Sequence, residues 1–183
     1  MVDKLKQIEL KDSLALLESS EYSKVLYFVD KNESLNSFFT YKGKILEINK
    51  LKIKILMAKT DDDKKKIIND IKSSICHGAK FGEWLVFTTD KNSDFNSLEF
   101  FKTLDIGCKD YSWYDPKNFT DRKYFVDNNI LLKELDVDNF GNKGCWRPNE
   151  KFKMVFLSNC SDEEISTLQK NNNNPLFEFV YVK

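Results

Sequence analysis

Cysteine and histidine stand side by side at one place in the sequence, Cys76-His77. Both side chains bind metals, and a cysteine beside a base is also the nucleophile of many hydrolases. A structural zinc site needs four ligands, usually in two closely spaced pairs, whereas this chain has one histidine and no Cys-x-x-Cys pair. Adjacent side chains also point apart, which disfavours a catalytic pair. We therefore expect no metal, no cofactor and no catalytic residue, and an enzyme is only the third hypothesis.

Two acidic segments resemble the start of a calcium-binding loop. The segment that begins at Asp136 has Phe140 at its fifth position and Arg147 at its twelfth, and the segment that begins at Asp90 has Phe101 at its twelfth. A calcium loop requires oxygen ligands at such positions, so neither segment fits. Phosphate-binding glycine loops and nucleophile elbows are also lacking in the sequence.

Aromatic and arginine residues are concentrated in the least regular part of the sequence. The candidate binding residues there are Tyr111, Trp113, Tyr114, Arg122, Trp146 and Arg147. Aromatic rings with arginine form protein-interface anchors or platforms on which bases stack. The alternative is that these rings fill one end of a small core, and the sequence leaves both interpretations open.

Lysines alternate with apolar residues in the segment GKILEINKLKIKILM, which predicts a β-hairpin. Lys52 and Lys54 would then share one face and could follow a phosphate backbone. The alternative is that lysines on an exposed strand keep it soluble and prevent edge pairing. We retain Lys52 and Lys54 as candidate phosphate-binding residues.

The composition is that of a globular protein. The 183 residues carry equal numbers of acidic and basic groups, 29 of each, so the formal net charge is zero. The chain therefore lacks the large excess of positive charge that attracts nucleic acids or membranes non-specifically. No apolar run reaches the roughly 18 residues of a membrane span, and the amino terminus lacks a signal-peptide core. We expect one domain over 1–183, reduced thiols, no membrane partner, and a cytosolic or nuclear location.

A strand, a polar turn and a helix follow one another three times. The stretches are VLYFVDKNESLNSFF, WLVFTTDKNSDFNSLEFF and MVFLSNCSDEEISTLQ. In each, a strand ends, polar residues cap the next helix, and the apolar side of that helix returns to cover the sheet. A fourth helix is predicted that either Thr60 or Asp61 caps and that His77-Gly78 closes, and LFEFVYV predicts a last strand.

Two of these regions carry a resemblance to a known family. FGEWLVFTTDKNSDFNSLEFFKTL, and the stretch from Glu150 through PLFEFVYVK, resemble translation initiation factor 4E and the basophilic leukemia expressed protein family of the same fold. The resemblance implies a single curved, mostly antiparallel sheet with about three helices packed on one face, an α+β fold. The family stacks its cap ligand between two loop tryptophans. This sequence has none at the matching places, so cap binding in that manner is not expected.

The sequence has no recognisable group of catalytic residues, and it has the aromatic–arginine segment. Together these features favour a non-enzymatic binding module. The leading hypothesis is a protein-interaction adaptor that binds its partner through Tyr111–Arg147. The alternative, which follows from the resemblance, is RNA or nucleotide binding with Lys52 and Lys54 at the phosphates.

Overall fold

The described residues form one sheet of six strands. The computed structural model describes residues 5–19, 23–106 and 111–183, without the side chains of Leu14 and Tyr111. The strands are β1 (Lys6–Ile8), β2 (Val25–Val29), β3 (Gly43–Glu47), β4 (Trp84–Thr88), β5 (Lys153–Ser158) and β6 (Phe177–Val182). The three predicted strands that precede polar turns, and the predicted last strand, are thereby confirmed.

All of the strand pairings are parallel, in the order β1-β6-β2-β5-β4-β3. The expected antiparallel sheet was therefore wrong. Parallel neighbours need long crossover connections, and here helices supply them. The strands also read as continuous apolar runs, since β2 is buried at every position from Val25 to Val29. Such runs are typical of strands covered on both faces.

The helices are α1 (Leu10–Glu18), α2 (Ser34–Lys42), α3 (Ile48–Met57), α4 (Asp61–Phe81), α5 (Ser97–Thr103), α6 (Arg122–Asp127) and α7 (Ile165–Asn171). Three short 3₁₀ turns cover Tyr111–Tyr114, Pro116–Thr120 and Lys133–Leu135. Thr60 caps α4 as predicted, because its hydroxyl accepts a hydrogen bond from the Asp63 amide at 3.1 Å. The helix continues past His77-Gly78, however, and ends at Gly82, whose φ of 71° lies in the left-handed region.

Helices cover both faces of the sheet, so the expectation of about three helices on one face was also wrong. We call the side packed by α3–α7 the α4 face and the side packed by α1 and α2 the α2 face. Alternate residues of β2 show the division, since Tyr27 belongs to the core of the α4 face and Phe28 to that of the α2 face. The first strand–turn–helix unit thus places its helix on the opposite side from the other two. The fold class is α/β rather than α+β.

The predicted lysine hairpin is instead a strand followed by a helix, β3 and α3. Ile48, Leu51 and Ile55 are spaced as one side of a helix and pack against the core of the α4 face. The apolar residues of this segment also alternate with lysines at a period of two, which explains why a hairpin was wrongly predicted. Ile53, Leu56 and Met57 are left exposed on the outer side of α3.

Parallel register brings aromatic rings into rows on the α4 face. Tyr27 lies opposite Phe156 of β5 and Phe179 of β6. Its ring stacks on both, with centroids 5.3 Å and 4.9 Å apart. Such pairs stabilise adjacent strands beyond the area that they bury. This aromatic row lies at the centre of the sheet, and the polar loops project from the two ends of the strands.

Candidate functional site: a polar cleft at the carboxyl edge of the sheet

The predicted aromatic site residues lie in the interior. Trp113, Tyr114 and Trp146 are at most 1% exposed and belong to the core of the α4 face. Trp113 packs edge-on against Phe101 at 5.7 Å between ring centroids. These three rings fill one end of the core, the second of the two interpretations left open by the sequence. The side chain of the fourth ring, Tyr111, lies outside the described residues.

The two arginines differ in their burial and in their partners. Arg122 is half-buried and forms an ion pair with Asp136, with 2.5 Å between Nη2 and Oδ2. Arg147 is exposed, and its guanidinium donates to the backbone oxygen of Trp146 at 2.8 Å. Arg122 thus ties α6 to the following loop, whereas Arg147 remains accessible to a partner.

Lys52 and Lys54 also point in different directions, because residues two apart on a helix lie about 200° apart around its axis. The Lys52 ammonium lies 5.3 Å from the centre of the Phe95 ring, a cation–π contact. Lys54 is exposed. The structure therefore does not place the two lysines in one phosphate-binding row.

Cys76 is buried in α4, and its thiol donates to the backbone oxygen of Ile130 at 3.4 Å. Burial raises the pKa of Cys76 to about 12, so the thiol is protonated at neutral pH and is a poor nucleophile. Within residues 5–19, 23–106 and 111–183, no three or more histidine, cysteine, aspartate or glutamate side chains gather in a way that could hold a metal ion.

A cleft of about 720 Å³ opens at the carboxyl ends of β2, β3, β4 and β5. We call it the carboxyl-edge cleft. Its walls are Glu33, Asn36, Asn49, Lys52, Ile53, Asp90, Lys91, Asn92 and Asn159. Parallel α/β sheets bind ligands at this edge, between neighbouring strands whose following helices lie on opposite faces. Here those strands are β2 and β5, which lead to α2 and α7 respectively.

A hydrogen-bond network holds the floor of the cleft. Asn49 Nδ2 donates to the Asp90 carboxylate and to the Thr89 backbone oxygen, both at 3.2 Å. Asn92 Nδ2 donates in turn to Asn49 Oδ1 at 3.3 Å. These bonds join the start of α3 to the turn after β4, so the polar groups are positioned before any ligand arrives.

The turn at Asp90 is held in an unusual backbone conformation. Its φ of 49° lies in the left-handed region, which aspartate tolerates better than most residues. The backbone oxygen of Asp90 accepts hydrogen bonds from the backbone amide of Asn159 and from the hydroxyl of Ser158, each at 2.9 Å. The end of β5 therefore fixes the turn after β4, and the two loops form one wall.

Asn159 has an unsatisfied polar atom in this wall. Its side chain is 8% exposed and lines the cleft, and Oδ1 is buried without a hydrogen-bond partner among the described residues. A buried amide oxygen without a partner costs about 1–3 kcal/mol. Native proteins rarely leave such a group unsatisfied unless water, an ion or a ligand fills the place.

The charges that line the cleft balance. Glu33 and Asp90 are offset by Lys52 and Lys91, and the remaining polar lining consists of asparagine amides. The turns after β2, β4 and β5 contain no glycine, whereas phosphate cradles rely on glycine so that backbone amides can approach the ligand. The cleft thus offers neutral hydrogen-bonding groups rather than a site for a multiply charged anion.

The sequence contained a signal for this cleft. Asp30-Lys31-Asn32 and Asn159 directly follow buried strands, and Asp90-Lys91-Asn92 follows one after the single residue Thr89. In a parallel sheet such residues meet at one edge, whereas in an antiparallel sheet they are divided between two ends. Because an antiparallel sheet was expected, there was no reason to place these residues together at one edge.

A scan against protein-family models finds no match to the chain, and a search of curated proteins finds no significant similarity. The resemblance to the initiation factor 4E family stays an untested prediction. The fold that it implied differs from the parallel sheet found here. In the part of the chain that the structure describes, no helix combines the length and apolar composition of a membrane span.

Proposed function

We propose that the protein is a non-enzymatic binding module whose carboxyl-edge cleft holds a small, neutral, polyhydroxylated molecule of the sugar or polyol class. The observation that carries the proposal is the unpartnered Oδ1 of Asn159, in a cleft at the position where parallel α/β sheets bind ligands. A ligand hydroxyl would donate to this oxygen and remove the cost of leaving it unsatisfied.

The choice of a neutral ligand rests on the balanced charges of the cleft. Hydroxyl groups both donate and accept, so they suit a wall of asparagine amides and carboxylates. The side chain of Ile53 adds an apolar patch that the carbon skeleton of such a ligand can cover. A non-enzymatic role is supported by the protonated, buried thiol of Cys76.

Titration of the isotope-labelled chain with ribose, glucose and myo-inositol, followed by nuclear magnetic resonance, tests the proposal. We expect at least one polyol to shift the side-chain amide signals of Asn49, Asn92 and Asn159. In Asn159→Leu, the chain should fold with unchanged or greater stability, because the lost oxygen had no partner. The same variant should lose most of the affinity.

Asn139→Leu is the matched control, since Asn139 is exposed and does not line the cleft. It should bind polyols as the native chain does. The proposal is wrong if no polyol shifts the cleft signals, or if Asn159→Leu retains full affinity.

A protein-interaction adaptor is the second candidate, and Phe140 favours it. Its side chain is 91% exposed, within the segment that the sequence analysis assigned to a partner. Asp138 Oδ1 accepts from the amides of Phe140 and Asn142 at 2.8 and 2.9 Å, which holds the loop in shape. A preorganised, exposed aromatic ring is a common anchor of protein interfaces. The proposed location of such an adaptor is cytosolic or nuclear.

Affinity capture from a cell extract tests the adaptor. We expect Phe140→Ala combined with Arg147→Ala to lose a partner that the native chain retains. Tyr41→Ala is the control, because Tyr41 is 88% exposed on a helix of the α2 face. Equal capture by all three proteins would exclude this candidate.

A further inference from the structure

A second cavity, of about 600 Å³, lies at the opposite end of the sheet from the carboxyl-edge cleft. We call it the amino-edge pocket. It is bounded by the residues that lead into β2 and β6 and by the last turns of α7. We propose that the amino-edge pocket binds a nucleoside monophosphate. This proposal does not depend on the polyol proposed for the carboxyl-edge cleft.

Two residues that line this pocket, Gln169 and Asn174, each carry a buried polar atom without a partner among the described residues. Asn174 is 6% exposed, and its Oδ1 accepts from the Leu176 amide at 2.9 Å, which fixes the orientation of the side chain. Its Nδ2 is buried and donates to no group in the described structure. The buried Oε1 of Gln169 similarly accepts no hydrogen bond. The residues that line the pocket therefore carry one unused donor and one unused acceptor.

A nucleobase edge carries an acceptor beside a donor, which matches this pair of amide groups. Phe179 and Leu5 line the pocket as well. Phe179 stacks on Tyr27 through one ring face, in the aromatic row of the sheet. Apolar side chains and polar amides in the same pocket are the combination that base recognition uses.

Charge favours a phosphate monoester at the rim. Lys6, Lys24 and Lys170 line the pocket together with one acid, Glu178. Lys6 pairs with Glu178 at 3.4 Å, whereas neither Lys24 nor Lys170 has an ion-pair partner in the described part of the chain. Two free ammonium groups balance the charge of about −2 that a phosphate monoester carries at neutral pH.

Isothermal titration calorimetry of the full chain with AMP, GMP, CMP and UMP tests the assignment. We expect at least one of them to bind. The corresponding nucleoside and inorganic phosphate should each bind at least tenfold more weakly, because each makes only part of the contacts. Binding should also weaken as salt increases, since lysines hold the phosphate.

Gln169→Leu and Lys170→Ala are the decisive variants. The side-chain Oε1 of Gln169 accepts no hydrogen bond in the described structure, so replacement of the residue by leucine should leave folding intact, as circular dichroism will show. Each variant should weaken nucleotide binding at least tenfold, whereas Lys54→Ala, an exposed lysine of α3, should not. Asn174→Asp keeps the acceptor for Leu176 but removes the free donor, and should abolish binding.

The two proposed sites are separable by reciprocal variants. Asn159→Leu should leave nucleotide affinity unchanged, and Gln169→Leu should leave polyol binding in the carboxyl-edge cleft unchanged. The nucleotide proposal is overturned if no monophosphate binds, if inorganic phosphate binds as tightly as the nucleotide, or if Gln169→Leu and Lys170→Ala bind as the native chain does.

Discussion

Asn172 joins three segments of the α4 face through one buried side chain, which is 2% exposed. Its Nδ2 donates to the backbone oxygens of Phe95 and Leu168 at 2.7 and 3.0 Å. Its Oδ1 accepts from the Ser97 amide at 2.9 Å, at the start of α5. Replacement of Asn172 by alanine therefore disconnects the end of α7 from α5 and from the turn before it.

The cost of Asn172→Ala follows from the groups that lose a partner. Leu168 keeps a bond, because its oxygen also accepts from the Asn172 backbone amide at 3.1 Å. The Phe95 oxygen and the Ser97 amide lose the bond that Asn172 made to each. A buried group without a partner costs about 1–3 kcal/mol, so two cost about 2–6 kcal/mol, with a central value of about 4 kcal/mol. For a chain of this size, we expect a fall in Tm of roughly 8–16 °C.

Guanidinium chloride unfolding followed by tryptophan fluorescence measures this loss. Asn173→Ala is the matched control, since the neighbouring asparagine is exposed and makes no hydrogen bond in the described structure. Its free energy of unfolding should change by no more than about 0.5 kcal/mol. If Asn172→Ala unfolds within about 1 kcal/mol of Asn173→Ala, the assigned hydrogen bonds contribute less than a buried group should, and the reasoning fails.

Two further predictions concern the core of the α4 face. Trp113→Ala should lower the free energy of unfolding by about 3–5 kcal/mol, because Trp113 is fully buried. Arg147→Ala, at an exposed position, should change it by about 0.5 kcal/mol or less. Equal losses in the two variants would contradict the burial of Trp113. Cys76 has a pKa of about 12 in the folded chain against 9.0 without burial, so the unfolded chain releases this proton first as pH rises. The stability that it contributes is complete below pH 9.0 and is lost as pH approaches about 12. Between pH 9 and 10.5 the native chain should lose about 1.6 kcal/mol more than Cys76→Ala, by denaturant unfolding at each pH, and parallel losses would refute the burial effect.

Local sequence patterns predicted individual elements well where one pattern dominated. The β2, β4, β5 and β6 runs are short, apolar and bounded by polar turns, and each is a strand. The cap of α4 was narrowed to Thr60 or Asp61 because a short polar side chain followed by acids suits the start of a helix, and the structure shows that Thr60 is the cap. The prediction for Ile48–Met57 was wrong, since its apolar residues satisfy both a helical and a strand period.

The candidate site was only partly predictable. Of the expected binding residues, Lys52 lines the carboxyl-edge cleft, whereas Trp113, Tyr114 and Trp146 lie in the core. Aromatic residues in an irregular segment suit a partner surface and a core equally well, and only packing distinguishes the two. The position of Asn159 after a buried strand hinted at the cleft, but the unpartnered side-chain atoms of Asn159 and Asn174 could not be predicted, because they depend on burial in the folded chain.

What the sequence determined by itself is the order of strand, polar turn and helix in the three repeated units, together with the helix after Thr60 and the last strand, since each depends on residues near to one another in the chain. Only the tertiary structure decided that the strands run parallel, that α2 lies on the opposite face from α5 and α7, and that two clefts open at opposite ends of the sheet. The physical reason is that strand direction and helix side depend on contacts between distant segments. An apolar strand satisfies its own local pattern equally well in a parallel or an antiparallel sheet.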